Sequence, residues 1–141
     1  MRTRTSMIWA LAVAMALVFS TASTAMASTK DAPGYSYWKS LAGVTVAKHW
    51  SLTTFSYNGS ALLSTPKAVS QTWWTFPPTW CSSRNSKWDW YTVGTNGTGR
   101  GNNLVVFTVG VPTPWGPIGS NLADRHLTTV RYNGTYSVSY Q

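Results

Sequence analysis

The chain has 141 residues and a net charge of +8 at pH 7, from 11 Lys and Arg against only 3 acidic residues. It carries nine tryptophans, seven tyrosines and one cysteine. A lone cysteine excludes an intramolecular disulfide framework. The scattered basic residues form no phosphate track, so nucleic acid is not an expected partner.

The first 27 residues have the three parts of a secretory signal peptide in order. Arg2 and Arg4 supply the charged start, Ile8 to Phe19 is an unbroken apolar run, and Ala25-Met26-Ala27 fits a small-residue cleavage site. The apolar run is well short of the roughly 20 residues that a membrane-spanning helix needs. Cleavage near Ala27, with no lipidation signal or hydrophobic tail, predicts a released extracellular product of bacterial style. What remains is one domain by length. Its nine basic side chains face only Asp31, Asp89 and Asp124. Positive charge on an exported protein favours anionic surfaces such as cell walls or anionic lipid.

Residues 28–40 are expected to be loosely ordered, with a short helical turn near Tyr35 to Leu41. From residue 41 to 141 the composition suits strands and turns, and no segment shows a sustained helical apolar period. Strands are predicted at Val44 to Trp50 and Ala68 to Phe76, the second ended by Pro77-Pro78. Asn58-Gly59, Asn96-Gly97 and Asn133-Gly134 are turn signals. A two-residue turn at the first pairs Tyr57 with Ser60 and Phe55 with Leu62. A two-residue turn at the third pairs Arg131 with Tyr136 and Thr129 with Val138. The middle pair sits in a predicted loop, Gly94 to Asn103, and Val111 to Gly119 is expected to be irregular or extended. The spacing predicts an all-β domain, a small antiparallel sandwich or barrel.

Three chemistries compete for the site. Trp73 to Tyr91 contains five tryptophans in nineteen residues. Flat rings stack on sugars or settle at a lipid headgroup layer. Trp73, Trp74, Trp80, Trp88 and Trp90 are therefore the candidate binding residues, with Arg84 and Lys87 as polar partners. In strands, Trp73 and Trp74 face opposite sides, while Trp88 and Trp90 share one side. The leading expectation is a non-catalytic module that binds a cell-surface or cell-wall polysaccharide. A bacteriocin-like or membrane-active antagonist is the alternative, and a small hydrolase the third. Catalytic candidates are few. Asp124 and His126 share a strand face, and Cys81 has Arg84 nearby, which would favour a thiolate. His49 and His126 are isolated in sequence, so no metal site is expected, and no motif calls for a cofactor.

Overall fold

A computed structural model describes residues 25–114 and 116–141. The export signal lies almost entirely outside the described residues. Nine strands follow in chain order: β1 (Ser28–Lys39), β2 (Thr45–Tyr57), β3 (Ala61–Leu62), β4 (Ala68–Thr75), β5 (Thr79–Tyr91), β6 (Gly94–Thr95), β7 (Thr98–Thr113), β8 (Gly116–Arg131) and β9 (Tyr136–Tyr140). The described residues include no helix. The protein is all-β, with two antiparallel sheets.

In the first sheet β2 is central. β1 runs along one side of it from Ser28 opposite Tyr57 to Lys39 opposite Thr45. β4 covers the other side from Ala47 to Thr54, and β3 continues that side at Tyr57. The second sheet is ordered β5-β7-β8-β9. The sheets face each other, with β1 over β8 and β9, β2 over β7 and β8, and β4 over β5 and β7. The chain first changes sheets at Pro77-Pro78, between β4 and β5, and β6 returns briefly to pair with β3 before β7 continues the second sheet.

Several sequence expectations need correction. Residues 28–39 are an ordered edge strand, with no helical turn at Tyr35. Ala32 and Gly34 are buried between exposed neighbours, and an edge strand tolerates Pro33 because one side of it has no ladder to feed. Most of the predicted loop Gly94 to Asn103 is also strand. β7 begins at Thr98, and Gly99 makes room for aromatic rings: a Cβ there would sit 2.7 Å from Tyr91 and 3.2 Å from Trp88.

Both hairpin registers shift. At the first turn Tyr57 pairs with Leu62, because Asn58 Oδ1 accepts from the amides of Ser60 and Ala61 and holds a four-residue loop. At the third, Val130 pairs with Tyr136, and the Arg131 amide donates to the Thr135 carbonyl. That closes a three-residue loop with Gly134 at φ +79°, a common hairpin with a left-handed closing residue. The one-residue slip puts Thr128, rather than Thr129, opposite Val138. The proline-rich stretch after Val111 is extended, as β7 and β8 pair through to Thr113 opposite Gly116.

The interior is split. One apolar cluster holds Ala32, Phe55, Leu62 and Val130, flanked by Tyr57, Trp88, Tyr91 and Tyr132. A second holds Ala47, Val105 and Phe107, flanked by Trp38, Trp73, Cys81 and Leu122. On the facing strands between them lies a polar belt that includes His49, Ser51, Thr53, Asn103, Asp124, His126 and Thr128, all buried.

Candidate functional site

Three features offer chemistry: an exposed aromatic face, a polar cleft and the buried belt.

The aromatic face is the outer side of the first sheet. Register puts Tyr35, Trp50 and Thr72 in one cross-strand row and Tyr37, Lys48 and Trp74 in the next. Phe76, just past the end of β4, lies opposite Val46 and begins a third row. The alternation that buries His49 and Ser51 turns Lys48, Trp50 and Leu52 outward. Five large rings lie open to solvent here, from 38% exposed at Trp50 to 52% at Tyr37. Neighbouring rings are tilted by about a third of a right angle: Tyr35 makes 33° with Trp50 and 31° with Tyr37, and Trp74 makes 32° with Phe76. Lys48 sits over both Trp50 and Trp74, and Lys39 over Tyr37. Isolated exposed apolar residues are ordinary on a protein surface, but a contiguous exposed patch marks a contact surface.

The polar cleft lies where edge strand β4 passes edge strand β5. Ser70, Gln71 and Trp73 line one side and Arg84, Asn85 and Ser86 the other, around a volume of about 400 Å³. The Arg84 guanidinium stacks on Trp73, 4.4 Å from the ring centroid.

The buried belt centres on Asp124. Its Oδ2 accepts from His49 Nδ1 at 2.5 Å, from His126 Nε2 at 2.9 Å and from the Ser36 hydroxyl at 2.5 Å. With hydrogen on Nε2, the neutral His126 ring accepts at Nδ1 from the Ser51 hydroxyl, 2.7 Å away. Gln71 Nε2 donates to the Leu104 carbonyl at 3.1 Å, which orients the amide so that its oxygen lies 2.9 Å from His49 Nε2. Both His49 nitrogens thus face acceptor oxygens, an arrangement that suits a ring with hydrogen on each. Burial on its own would raise the pKa of the Asp124 carboxyl. The hydrogen bonds from His126, His49 and Ser36 outweigh burial and hold the carboxyl well below the ordinary carboxylate range.

His49, Asp124 and His126 are also the one set of three potential metal ligands found among the described residues. Their geometry suits protons better than a cation. The two rings are stacked, with centroids 4.0 Å apart and planes 25° apart. A nitrogen of each ring points at Asp124 Oδ2 itself, so the carboxylate oxygen occupies the place where a cation would have to sit. The nitrogen–oxygen separations are also below the edge of about 3.3 Å that a tetrahedral zinc shell with bonds near 2.0 Å requires. The group reads as a hydrogen-bond network that joins the sheets.

The structure disperses the tryptophans expected to form one platform. Trp74 points outward onto the aromatic face, and Trp73 inward to the cleft and the second apolar cluster. The pairing of β5 shifts between Trp88 and Trp90. A bulge adds a residue and breaks the alternation, so Trp88 packs inward with Tyr91. Trp90 is exposed under the Arg100 guanidinium at 4.2 Å. The expected shared face for Trp88 and Trp90 is therefore corrected. Trp80 is half-buried opposite Thr108, and Lys87 is exposed opposite Asn102.

Of the catalytic candidates, Asp124 and His126 do meet, but inside the protein and together with His49, which looked isolated in the sequence. Asp89 accepts from Asn102 and takes no part. Cys81 borders the second apolar cluster. Burial raises its pKa against the smaller opposing pulls of the Ser83 backbone and the Arg84 charge, so it is not primed as a thiolate. Sequence reasoning missed Tyr35, Tyr37, Trp50 and Phe76 on the aromatic face, and Ser36, Ser51 and Gln71 in the network. The alternation Tyr35-x-Tyr37 was the available signal.

No protein-family model matches the chain. Neither the curated proteins nor the solved structures contain a significant match.

Proposed function

We propose that the protein is an exported, non-catalytic β-sandwich module that binds a cell-surface or cell-wall polysaccharide through the outer face of its first sheet. The observation that carries this reading is the contiguous exposed set of Tyr35, Tyr37, Trp50, Trp74 and Phe76. Strands about 4.8 Å apart and rows about 7 Å apart make a platform roughly 10 Å wide, suited to ring-on-ring contact with sugars. Lys39 and Lys48 lie among the rings and add attraction for anionic polymers. Arg2, Arg4 and the apolar run after them support export. The sealed belt holds Asp124 and His126 away from substrate, which favours binding over hydrolysis.

The test is co-sedimentation of the mature protein with purified insoluble wall polysaccharides, alongside dye leakage from anionic vesicles. Wild type should sediment with at least one polysaccharide. Combined Trp50→Ala and Trp74→Ala substitution should weaken that binding about tenfold or more, since each stacking contact is worth roughly 1 kcal/mol, without lowering the melting temperature. Failure to bind any wall preparation, or equal binding by the double variant, removes the reading. Leakage without polysaccharide binding assigns the face to a membrane.

A further inference from the structure

The cleft between β4 and β5 is separate from the aromatic face but shares a strand with it. Along β4, Thr72 and Trp74 point outward, while Gln71 and Trp73 point into the cleft. Every other lining side chain is polar, and one is a cation. Arg84 has no carboxylate partner among the described residues. Asp31 accepts from Thr54, Asp89 from Asn102, and Asp124 from the buried histidines. Trp73 holds the guanidinium plane by stacking, and a stacked guanidinium keeps its N–H edge available for a planar oxyanion. Gln71 forms a fixed wall, since its oxygen and nitrogen are both committed, to His49 and to the Leu104 carbonyl. Ser86 donates to Asn103 Oδ1 at 2.7 Å, so its oxygen remains available as an acceptor. The volume, about 400 Å³, falls in the range of small-molecule sites.

We propose that this cleft is a second subsite that takes a carboxylate-bearing sugar, with Arg84 gripping the carboxylate and the Ser86 hydroxyl oxygen meeting a ring hydroxyl. The preferred polymer is then a polyuronide or similarly acidic glycan. Carboxylate capture stands on the cleft alone, whereas its link to a polymer rests on the glycan reading above.

The experiment titrates the mature protein with trigalacturonate, its methyl ester and inorganic sulfate, following tryptophan fluorescence and heat. Trigalacturonate should bind, and Arg84→Gln should weaken it roughly tenfold or more, the loss expected for a charge-assisted hydrogen bond. Arg84→Lys should restore only part, because a point charge lacks the planar fork. The methyl ester should bind wild type no better than trigalacturonate binds Arg84→Gln. If Arg84→Gln has no effect, or if sulfate competes at the same concentration as trigalacturonate, the subsite proposal is overturned. Polysaccharide binding that survives Arg84→Gln with no preference for acidic polymers removes this proposal and leaves the aromatic face standing. Trigalacturonate binding by a protein that sediments with no wall polymer keeps the cleft and removes the glycan module.

Discussion

Replacing Asp124 with Asn isolates the charge at the centre of the belt. The side chain keeps its shape, but Oδ2, which takes hydrogen bonds from His49, His126 and Ser36, becomes either a neutral oxygen or an NH₂ group pressed against donors. Removing one partner from a buried ionic set costs about 3–5 kcal/mol, because the remaining groups stay buried without compensation. At an unfolding entropy of roughly 2.1 cal/mol/K per residue, a domain of this length should lose about 4 °C per kcal/mol. Asp124→Asn should therefore melt some 12–20 °C lower. Urea unfolding followed by tryptophan fluorescence and by far-ultraviolet circular dichroism measures the loss. The pH dependence is diagnostic. The folded-state pKa of Asp124 lies below its unfolded value, so its contribution is present above about pH 4, the unfolded value, and falls as pH drops toward the folded one. Between pH 4 and 2 the gap between wild type and variant should close by about 1.4 kcal/mol per pH unit. The two ionisable groups in contact with the carboxylate, His49 and His126, are present in both proteins. A loss under 1 kcal/mol at pH 7, or a gap that stays constant down to pH 2, would refute the assignment of the network as a stabilising ionic centre.

Other perturbations probe the same region. A Cβ at Gly34 would lie 2.5 Å from Ser51 Oγ and 3.0 Å from His126 Nδ1, so Gly34→Ala should cost about 1–3 kcal/mol by overpacking; an unchanged urea midpoint would contradict this packing. Zinc or EDTA should leave the melting temperature unmoved, because Asp124 Oδ2 fills the point between the two imidazole nitrogens, and a zinc-dependent rise of several degrees would show that a metal can displace it. Ellman's reagent should react with Cys81 in the folded protein about tenfold more slowly than in urea, given a half-buried thiol with a raised pKa; equal rates would mean that the thiol is exposed.

The fold class was legible because turn residues and alternating β-formers are local signals. Asn58, Asn96 and Asn133 all mark turns, and Pro77-Pro78 marks the point where the chain first changes sheets. Side-chain facing was less legible, because it depends on register and on bulges. The bulge beside Asp89 is not written in the types of Trp88 and Trp90, yet it separates them onto opposite faces. The widened loop at Asn58 depends on a side-chain oxygen taking two amides, which a two-residue turn rule does not foresee. The network was half legible: spacing put Asp124 and His126 on one side of a strand, but His49, Ser36 and Gln71 reach them only through the stacking of one sheet on the other. Tyr35 and Tyr37 were overlooked because their segment, rich in Ser and Gly and bearing Pro33, looked too loose to pair.

With no disulfide, tryptophan packing is the obvious way to hold such a chain together, yet none of the described tryptophans is fully buried. Trp38, Trp73, Trp80 and Trp88 are half-buried, while Trp50, Trp74 and Trp90 are exposed. The largest fully buried apolar side chains are Phe55, Phe107 and Leu62, and they belong to two separate clusters. Facing sheets stand about 10 Å apart, a gap that serine and threonine alone would leave underfilled. His49 from the first sheet and His126 from the second close that gap by stacking, and Asp124 satisfies a nitrogen on each ring. The sheets are thus joined at mid-height by polar groups, and the aromatic residues are left free for the outer face and the cleft. This division explains how a short domain without a disulfide can keep five large rings in water: its cohesion rests on the belt, so the aromatic face can be altered without unfolding the protein.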